Sequence, residues 1–156
     1  MTQHSTLNEV PTLEILRLLW RVNHAMERRS KHMHATLGIT APQRMVIRFV
    51  GRTPGISAGE LAKTLHVDPG TLSSALGALE REKLLSRKSD ASDGRRVRIF
   101  LTARGRRLDT DTPRTVEAAV HTAMARHSKR SLSIVRSALE SLAQELGDFG
   151  DAISTP

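Results

Sequence analysis

The stretch SAGELAKTLHVDPGTLSSALGALER, residues 57–81, contains the start signals of two helices that are separated by a very short turn. Ser57 and Glu60 have the spacing of a capping box, in which each side chain accepts a hydrogen bond from the other residue's amide. This first helix carries an apolar face and ends near His66. Asp68 then offers an N-cap oxygen, and Pro69 suits the first helical position, so a second helix follows at once.

The second helix has two unlike faces. Its apolar residues recur at helical spacing; they are Leu72, Ala75, Leu76 and Leu79. The opposite face carries only small or hydroxylated residues, where a solvated helix usually carries lysine and glutamate; they are Gly70, Thr71, Ser73, Ser74 and Gly77. Such a face can approach another surface closely, although an ordinary exposed surface is the alternative reading of each residue.

The stretch LLSRKSDASDGRRVRIFL, residues 84–101, predicts a basic β-hairpin. Two apolar runs of strand length flank the Asp93-Gly94 dipeptide, which favours a hairpin turn. The order helix, short turn, helix and hairpin is that of a winged helix-turn-helix, in which the second helix enters the major groove of DNA. The hairpin, or wing, then lies along the backbone or in the minor groove.

The predicted DNA contacts follow from the chemistry of these side chains. Glycines permit close approach, hydroxyls can donate to phosphates or base edges, and the free amides behind Asp68 and Pro69 can face a phosphate. In the wing, basic residues are either phosphate contacts or merely attractive charges. The residues predicted on these grounds are Pro69, Gly70, Thr71, Ser73, Ser74, Gly77, Lys88 and Arg96.

The net charge of +8 is concentrated in the middle of the chain. Residues 44–107 contain 14 Lys and Arg against 6 Asp and Glu, while the two flanks balance at 10 against 10. A positive field confined to one segment is typical of a face that binds a polyanion. Double-stranded DNA is the partner that this pattern favours, with acidic lipids and acidic proteins as alternatives.

Other classes of function find little support in the sequence. The absence of cysteine excludes disulfides, thiolate metal sites and thiol-based redox sensing within this chain. No apolar run reaches the roughly 18 residues that span a bilayer, so we expect a cytoplasmic protein without a membrane partner. Because no phosphate-binding loop, nucleophile motif or carboxylate pair is present, we predict neither an enzyme nor a cofactor.

The histidines do not share helix faces within one chain. His32 and His34 point to different sides of a helix, and His121 and His127 are out of alignment. We therefore predict no metal site within a single chain, while sites shared between chains remain open.

Helices are predicted on both sides of the central segment. Residues 13–37 form a long helix with two adjacent apolar stripes, which predicts burial against its own domain and against a partner chain. Gly38 ends this helix, and a short helix follows Thr40. The inward-facing residues predicted for the short helix are Met45, Val46, Phe49 and Val50.

Two more helices are predicted after the hairpin. Thr102 caps one that runs through Leu108 to about residue 126, with Pro113 as a candidate kink, and another starts near Ser131. We predict a mainly α homodimer with a small β-hairpin wing. Residues 1–37 and 108–156 would form a helical dimerisation region around a DNA-binding lobe at residues 38–107.

Three stretches resemble the MarR (multiple antibiotic resistance regulator) family in order, spacing and key residues, over about residues 38–105. They are GITAPQRMVIRFV, ELAKTLHVDPGTLSSALGALE and LLSRKSDASDGRRVRIFLTARG. The wing turn Asp93-Gly94-Arg95, followed by Leu101-Thr102 and Gly105, is the most diagnostic part. The resemblance implies that Arg95 enters the minor groove and that Asp93 orients it. It also implies a dimer that occupies a pseudo-palindromic operator and represses transcription.

One position departs from the family pattern. The family usually has glycine where this chain has Lys83. A left-handed backbone is costly for lysine, so either α-helical geometry ends differently here or the chain carries a strain of about 1 kcal/mol.

The resemblance also suggests a ligand. Proteins similar to this family often bind small aromatic or anionic effectors in a crevice between the dimerisation helices and the DNA-binding lobe. An aromatic wall and an arginine would suit a carboxylate or a thioester. The candidate effector residues are Trp20, Asn23, His24, Arg44 and Arg48. A core tryptophan with ordinary polar neighbours is the alternative.

Two other functions remain open from the sequence. The same basic face would serve an architectural protein that coats DNA with little sequence preference. A metal-responsive regulator is the second alternative, given the seven histidines.

Overall fold

The computed structural model describes residues 11–90, 92–93 and 96–147. It is mainly helical with one antiparallel hairpin, as the sequence predicts. The chain divides into two compact units, one through Val116 and one from Glu117. The elements of the described residues are α1 (Thr12–Leu37), α2 (Ala41–Arg52), α3 (Ala58–Leu65), α4 (Pro69–Arg81), β1 (Leu85–Ser89), β2 (Val97–Leu101), α5 (Ala103–Leu108), α6 (Val116–Met124) and α7 (Lys129–Gly147).

Local capping signals set the ends of the first helices. Ser57 Oγ accepts from the amide of Glu60 at 3.2 Å, and the Glu60 carboxylate accepts from the amide of Ser57 at 2.8 Å. The predicted capping box at the start of α3 is therefore confirmed. Thr40 and Gln43 form a second capping box at the start of α2, which the sequence analysis missed. Gly38 ends α1 in the left-handed conformation, with φ at +75°.

One hydrophobic core holds α2, α3, α4 and the hairpin together. Its buried members are Ile39, Val46, Ile47, Val50, Ile56, Leu61, Ala62, Leu72, Leu76, Leu79, Leu84, Leu85 and Ile99. Full burial of one such aliphatic side chain contributes about 1.5–3 kcal/mol. The predicted apolar face of α4 points into this core, with Ala75 packed at its edge.

The buried face of α2 differs from the prediction at two positions. Val46 and Val50 are buried and Phe49 is partly buried, as predicted. Met45, however, is 48% exposed, whereas Ile47 is completely buried. Because α2 contacts α1, α4 and β2, its buried arc is wider than a single apolar stripe and includes Ile47.

The hairpin is anchored to the core through alternate residues. β1 and β2 pair with Leu85 opposite Leu101 and Ser89 opposite Val97. Leu85 and Ile99 point inward and are almost fully buried. Ile56, between α2 and α3, forms an isolated antiparallel bridge with Ile99. These contacts fix the base of the hairpin against the helix-turn-helix.

The turn between α4 and β1 contains Lys83 in the left-handed conformation, with φ at +57°. Its amide donates to the carbonyl of Glu80 at 2.9 Å, and the amide of Leu84 donates to that of Leu79 at 2.9 Å. The turn therefore has the geometry that suits glycine, and lysine occupies it at a cost of about 1–2 kcal/mol. Of the two expected outcomes, strain is the one observed.

The helix predicted after Thr102 is broken rather than kinked. α5 ends at Leu108 and α6 begins at Val116. Pro113 has no backbone amide to donate, and Arg114 adopts a positive φ of 63°, so the helix cannot continue through them. A break replaces the predicted kink, and α7 starts at Lys129, slightly before the predicted Ser131.

The unit from Glu117 contains most of α6 and all of α7, and no described residue of these helices is buried. Their exposed large apolar side chains are Val120, Ile134, Val135, Leu139 and Leu146. α1, in the first unit, also exposes apolar side chains, namely Leu13, Ile15, Leu16, Leu18, Trp20, Val22 and Met26. Among the described helices, none is long and apolar enough to cross a membrane.

Candidate nucleic-acid interface

Helix α4 presents its small face to solvent. Leu72, Leu76 and Leu79 hold the opposite face in the core. The residues predicted to meet DNA are on the outside: Pro69, Gly70, Thr71, Ser73 and Ser74 are exposed, and Gly77 is partly buried. The structure thus brings the six predicted residues of α4 together on one accessible surface.

The first turn of α4 differs from the prediction in one respect. Asp68 Oδ1 accepts from the amides of Gly70 and Thr71 at 2.7 and 3.1 Å. The amides expected to face a phosphate are therefore already bonded to the N-cap carboxylate. This correction removes the helix N-terminus as a free anion site and leaves the side chains of α4 as the contact groups.

Two further details define the surface of α4. Ser74 Oγ donates to the carbonyl of Gly70 at 3.1 Å, so its oxygen presents lone pairs outward in this structure. A Cβ added at Gly77 would meet no atom within 4 Å. The space above Gly77 is therefore open, and another surface can come close to the helix backbone there.

The wing residues that the structure describes are solvent-accessible. Lys88 Nζ lies 5.4 Å from the centre of the Phe100 ring, which is a cation–π distance. Arg96 is 69% exposed and lies 3.4 Å from Asp93, whose carbonyl also accepts from the Arg96 amide at 2.8 Å. Arg95 lies outside the described residues, so its insertion into DNA and its orientation by Asp93 stay predictions.

A polar cluster that the sequence analysis missed anchors the base of the wing. Arg98 Nε donates to Asp90 Oδ2 at 2.7 Å, and Arg98 Nη1 donates to the Gly55 carbonyl at 3.2 Å. Arg98 also lies 3.8 Å from the Glu60 carboxylate of α3. Asp90 Oδ1 accepts from the amide and hydroxyl of Ser92 at 2.8 and 2.6 Å. The Asp90–Ser92 contact is local, but the partners of Arg98 lie eight or more positions away in the sequence, so no short spacing connects them with Arg98.

These contacts change the acidity of the groups involved. The Ser92 hydroxyl, the Ser92 amide and the Arg98 guanidinium together hold the pKa of Asp90 far below its ordinary value. Hydrogen bonding to Asp90 raises the pKa of Arg98. The Ser57 amide and hydroxyl lower the pKa of Glu60. The cluster is therefore ionised at neutral pH, and it ties the wing to α3.

The candidate effector residues of α1 have local partners. Trp20 is 75% exposed. The Asn23 amide donates to Glu27 Oε1 at 3.1 Å, and His24 Nδ1 lies 4.0 Å from Glu27 Oε2. Within one chain, these three side chains lie on the open face of α1, and Trp20 is not the core residue of the alternative reading.

The two candidate arginines of α2 bind the segment that follows α5. Arg44 is 1% exposed and donates to the carbonyls of Leu108 and Thr110 at 2.6 and 2.8 Å. Arg48 donates to the Asp109 carbonyl at 2.7 Å and to the Asp111 carboxylate at 2.9 Å. Both guanidiniums thus have partners inside the chain, and the structure does not present them to an open crevice.

A cavity of about 290 Å³ lies elsewhere in the first unit. It is lined by Leu37, Gly38, Ile39, Glu82, Leu84, Arg104, Arg107 and Leu108, and includes none of the five candidate effector residues. Among the described residues, no group of three or more His, Asp or Glu side chains is placed to hold a metal ion.

Known proteins similar to this chain also indicate a DNA-binding regulator. The sequence profile of the MarR family matches residues 37–96. The HTH-type transcriptional repressor Rv2887 of Mycobacterium tuberculosis is 33% identical over 109 residues, which are 70% of this chain and 78% of that protein. S. aureus MepR in complex with DNA has a TM-score of 0.68 at 25% identity, over 83% of this chain and 96% of that chain.

A mutant of MarR from E. coli, complexed with operator DNA, is also similar, with a TM-score of 0.66 at 25% identity, over 88% of this chain and 98% of that chain. These relatives are regulators rather than enzymes. The residues that match the family profile, 37–96, include the helix-turn-helix with the small face of α4 and the first strand of the wing. The chain therefore belongs to the MarR family and is a DNA-binding transcriptional regulator.

Proposed function

We propose that this protein is a homodimeric repressor that reads a pseudo-palindromic operator and releases it when a small aromatic or anionic effector binds. The observation that carries the proposal is the exposed small face of α4, held over a rigid core within a strongly basic segment. The helix would enter the major groove with Thr71, Ser73 and Ser74 at the bases or phosphates. Repression is in keeping with the name of the Mycobacterium tuberculosis relative.

The wing would contact DNA beside the major groove. Arg95 is the residue proposed to enter the minor groove, where the potential is most negative, and Asp93 would orient it. Lys88 and Arg96 would contribute phosphate contacts, in keeping with their exposure. The Asp90–Arg98 contact supports this assignment because it fixes the base of the hairpin that carries these residues.

Dimerisation is proposed for residues 1–37 and 108–156, around a DNA-binding lobe at 38–107. Support comes from the many large apolar side chains that α1, α6 and α7 each expose, since exposed apolar surface on a helix marks a candidate interaction site. A two-fold dimer presents two α4 helices to successive major grooves, and it would match a palindrome.

The effector part of the proposal has two candidate locations. The side chains of Trp20, Asn23 and His24 are exposed on α1 and would need a partner chain to enclose them. The lining of the described cavity includes the apolar residues Leu37, Ile39 and Leu84, and two arginines, Arg104 and Arg107, against one carboxylate, Glu82. An aromatic carboxylate would match a lining that combines apolar side chains with an excess of guanidinium groups.

Selection from random duplex DNA, followed by affinity measurement, tests the DNA-reading part. We expect a recovered palindrome that binds about 10³-fold or more tightly than random DNA at physiological salt. A ratio near one would contradict the proposal and favour a sequence-tolerant architectural protein. Sedimentation of the free protein should give a dimer.

Titration of the operator complex with a panel of aromatic acids, their thioesters and antibiotics tests the effector part. One compound should release the operator from the wild type. An Arg104→Gln, Arg107→Gln double variant should keep operator binding and lose the response if the cavity is the effector site. A retained response would exclude the cavity and leave the surface of α1.

A further inference from the structure

The segment that joins the two units is tied to α2 by an extensive set of polar contacts. Residues 109–115, which we call the exit loop, connect the end of α5 to the start of α6. Three residues of α2 contact the beginning of this loop. They lie on one face of the helix, since they are four and three positions apart: Arg44, Arg48 and Gly51. The exit loop is therefore held at a definite place on the DNA-binding lobe.

Arg44 binds the carboxyl end of α5. The last carbonyls of a helix have no partner within the helix, and they form the negative end of its dipole. Arg44 Nη1 donates to the Leu108 carbonyl at 2.6 Å, and Nη2 donates to the Thr110 carbonyl at 2.8 Å. The side chain is buried at 1% exposure, where a cation is tolerated only with hydrogen bonds of this kind. Arg44 thus fixes where α5 ends.

Arg48, one turn further along α2, binds the next residues of the exit loop. Its Nη1 donates to the Asp109 carbonyl at 2.7 Å and to Asp109 Oδ1 at 3.1 Å. Its Nη2 donates to Asp111 Oδ1 at 2.9 Å. The planar guanidinium bridges both aspartates, so it restricts the direction of the loop as well as its position.

Gly51 leaves the space that the side chain of Asp109 occupies. A Cβ added at Gly51 would overlap the carboxylate of Asp109, so any larger residue would push that side chain away. Glycine is otherwise unfavourable inside a helix by about 0.5–1 kcal/mol relative to alanine. The close approach of Asp109 gives a physical reason for glycine at this position.

The far end of the exit loop is also ordered. Thr115 is completely buried, and its hydroxyl donates to the Thr112 carbonyl at 2.8 Å. The Thr112 hydroxyl donates to the Thr110 carbonyl at 2.9 Å. The loop is therefore braced along its length, and Arg48 and Asp109 are the ion pair at its root.

We propose that Arg44, Arg48, Gly51 and Asp109 are positioning residues that set the direction in which the chain leaves the DNA-binding lobe. In a dimer, this direction governs the separation of the two α4 helices, which must be about 34 Å apart to enter successive major grooves. The proposal rests on the dimeric operator reading proposed above. The proposal makes the preferred spacing of the half-sites depend on polar contacts between α2 and the exit loop, which involve no residue of α4.

Arg48→Gln and Gly51→Ala test this proposal by two different changes to the same contact. The first removes the guanidinium, and the second displaces Asp109 while leaving both arginines in place. Arg52→Gln is the matched control, because Arg52 is an exposed arginine in the next turn of the same helix. Arg44 is left unchanged because it is buried. Its replacement would leave the carbonyls that it binds without a donor, which endangers folding.

The main measurement is the affinity for the selected operator and for versions with one base pair added or removed between the half-sites. We expect the wild type and Arg52→Gln to lose about tenfold in affinity when the spacing changes. Arg48→Gln and Gly51→Ala should bind a single half-site as the wild type does, but discriminate between spacings by about threefold or less. Retention of the tenfold preference by both variants would overturn the proposal.

Amide hydrogen exchange gives a readout that does not depend on an operator. Both variants should speed exchange in residues 109–115 while the core of the lobe keeps its protection. Unchanged exchange in both variants would overturn the proposed positioning role of Arg48, Gly51 and Asp109. If exchange increases in the variants but the wild type selects no operator, the proposed operator binding is wrong. The proposed role in half-site spacing is then wrong as well.

Discussion

Arg98 of β2 donates to Asp90 at the end of β1 with an Nε–Oδ2 distance of 2.7 Å, and the two residues lock the base of the wing. The same guanidinium donates to the Gly55 carbonyl ahead of α3. The hairpin is thus fixed on one side by apolar burial of Leu85 and Ile99 and on the other by a charge-assisted contact. The tip of the wing is carried on a defined base.

The acid stability of the lobe should depend on Asp90. Because the pKa of this carboxyl is lower in the folded chain than its ordinary value of 3.8, its charge stabilises the folded state above that pH. The contribution disappears as the pH falls through the lower, folded value. Asp90→Asn should therefore be less stable than the wild type near neutral pH, and the difference should shrink in acid.

Urea unfolding at a series of pH values measures this dependence. Glu140→Gln is the control, since Glu140 is exposed and pairs only loosely with Arg136, at 3.7 Å. A gap between Asp90→Asn and the wild type that stays constant down to about pH 3 would contradict the assignment, because a constant gap is independent of ionisation.

Gly77→Ala should have opposite effects on stability and on DNA binding. Alanine favours helix over glycine by about 1 kcal/mol, and the added Cβ meets no atom within 4 Å. The same methyl group occupies the open space on the proposed DNA face, so the affinity for the operator should fall. Thermal unfolding and operator titration measure the two effects.

Gly59→Ala is the control for that experiment. Gly59 lies in α3, and a Cβ there also meets no atom within 4 Å. The variant should gain helical stability without loss of affinity. Equal affinities for the Gly77 and Gly59 variants would show that Gly77 does not lie close to DNA.

Lys83→Gly should relieve backbone strain. A left-handed conformation costs a residue other than glycine about 1–2 kcal/mol, whereas glycine loses about 0.5–1 kcal/mol through the entropy of the unfolded chain. The net result is a small gain in the free energy of unfolding. Glu82→Gly, at a right-handed φ of −74°, should only lose stability. If the two variants lose stability equally in chemical unfolding, the strain at Lys83 is refuted.

Arg95→Ala should weaken operator binding by about tenfold or more and leave the dimer intact. The physical reason is the loss of a cation from the narrow minor groove. Gel shift or fluorescence anisotropy measures the affinity, and sedimentation checks the dimer. Arg136→Ala, which removes an exposed arginine of α7, should bind like the wild type. Unchanged affinity of the Arg95 variant would remove this residue from the DNA contact.

Local signals predicted much of the DNA-binding lobe. Asp68 and Pro69 marked the start of α4, the Ser57 and Glu60 capping box marked α3, and two apolar runs on either side of Asp93-Gly94 marked the hairpin. Each of these signals acts between residues within a few positions of one another, so spacing alone is enough to detect it. Only the resemblance to the family indicated a left-handed turn at Lys83, with a different end of the helix as the alternative.

The contacts that order the wing and the exit loop were not predictable in this way. Asp90 meets Arg98 through the register of the hairpin, and Arg48 meets Asp109 across 61 positions of sequence. We predicted Arg44 and Arg48 as effector residues because the sequence shows their charge but does not show which groups they bind. Likewise, the predicted helix through Pro113 became a loop whose carbonyls these arginines bind.

The sequence by itself determined the order of helices and strands from α1 through β2, the small face of α4 and the basic character of the lobe, because periodicity, capping and net charge are properties of neighbouring residues. Only the tertiary structure decided which buried cation meets which carbonyl, as Arg44 does at Leu108. Such contacts depend on distances between separate elements, and those distances exist only once the core around Ile47 and Leu79 has packed.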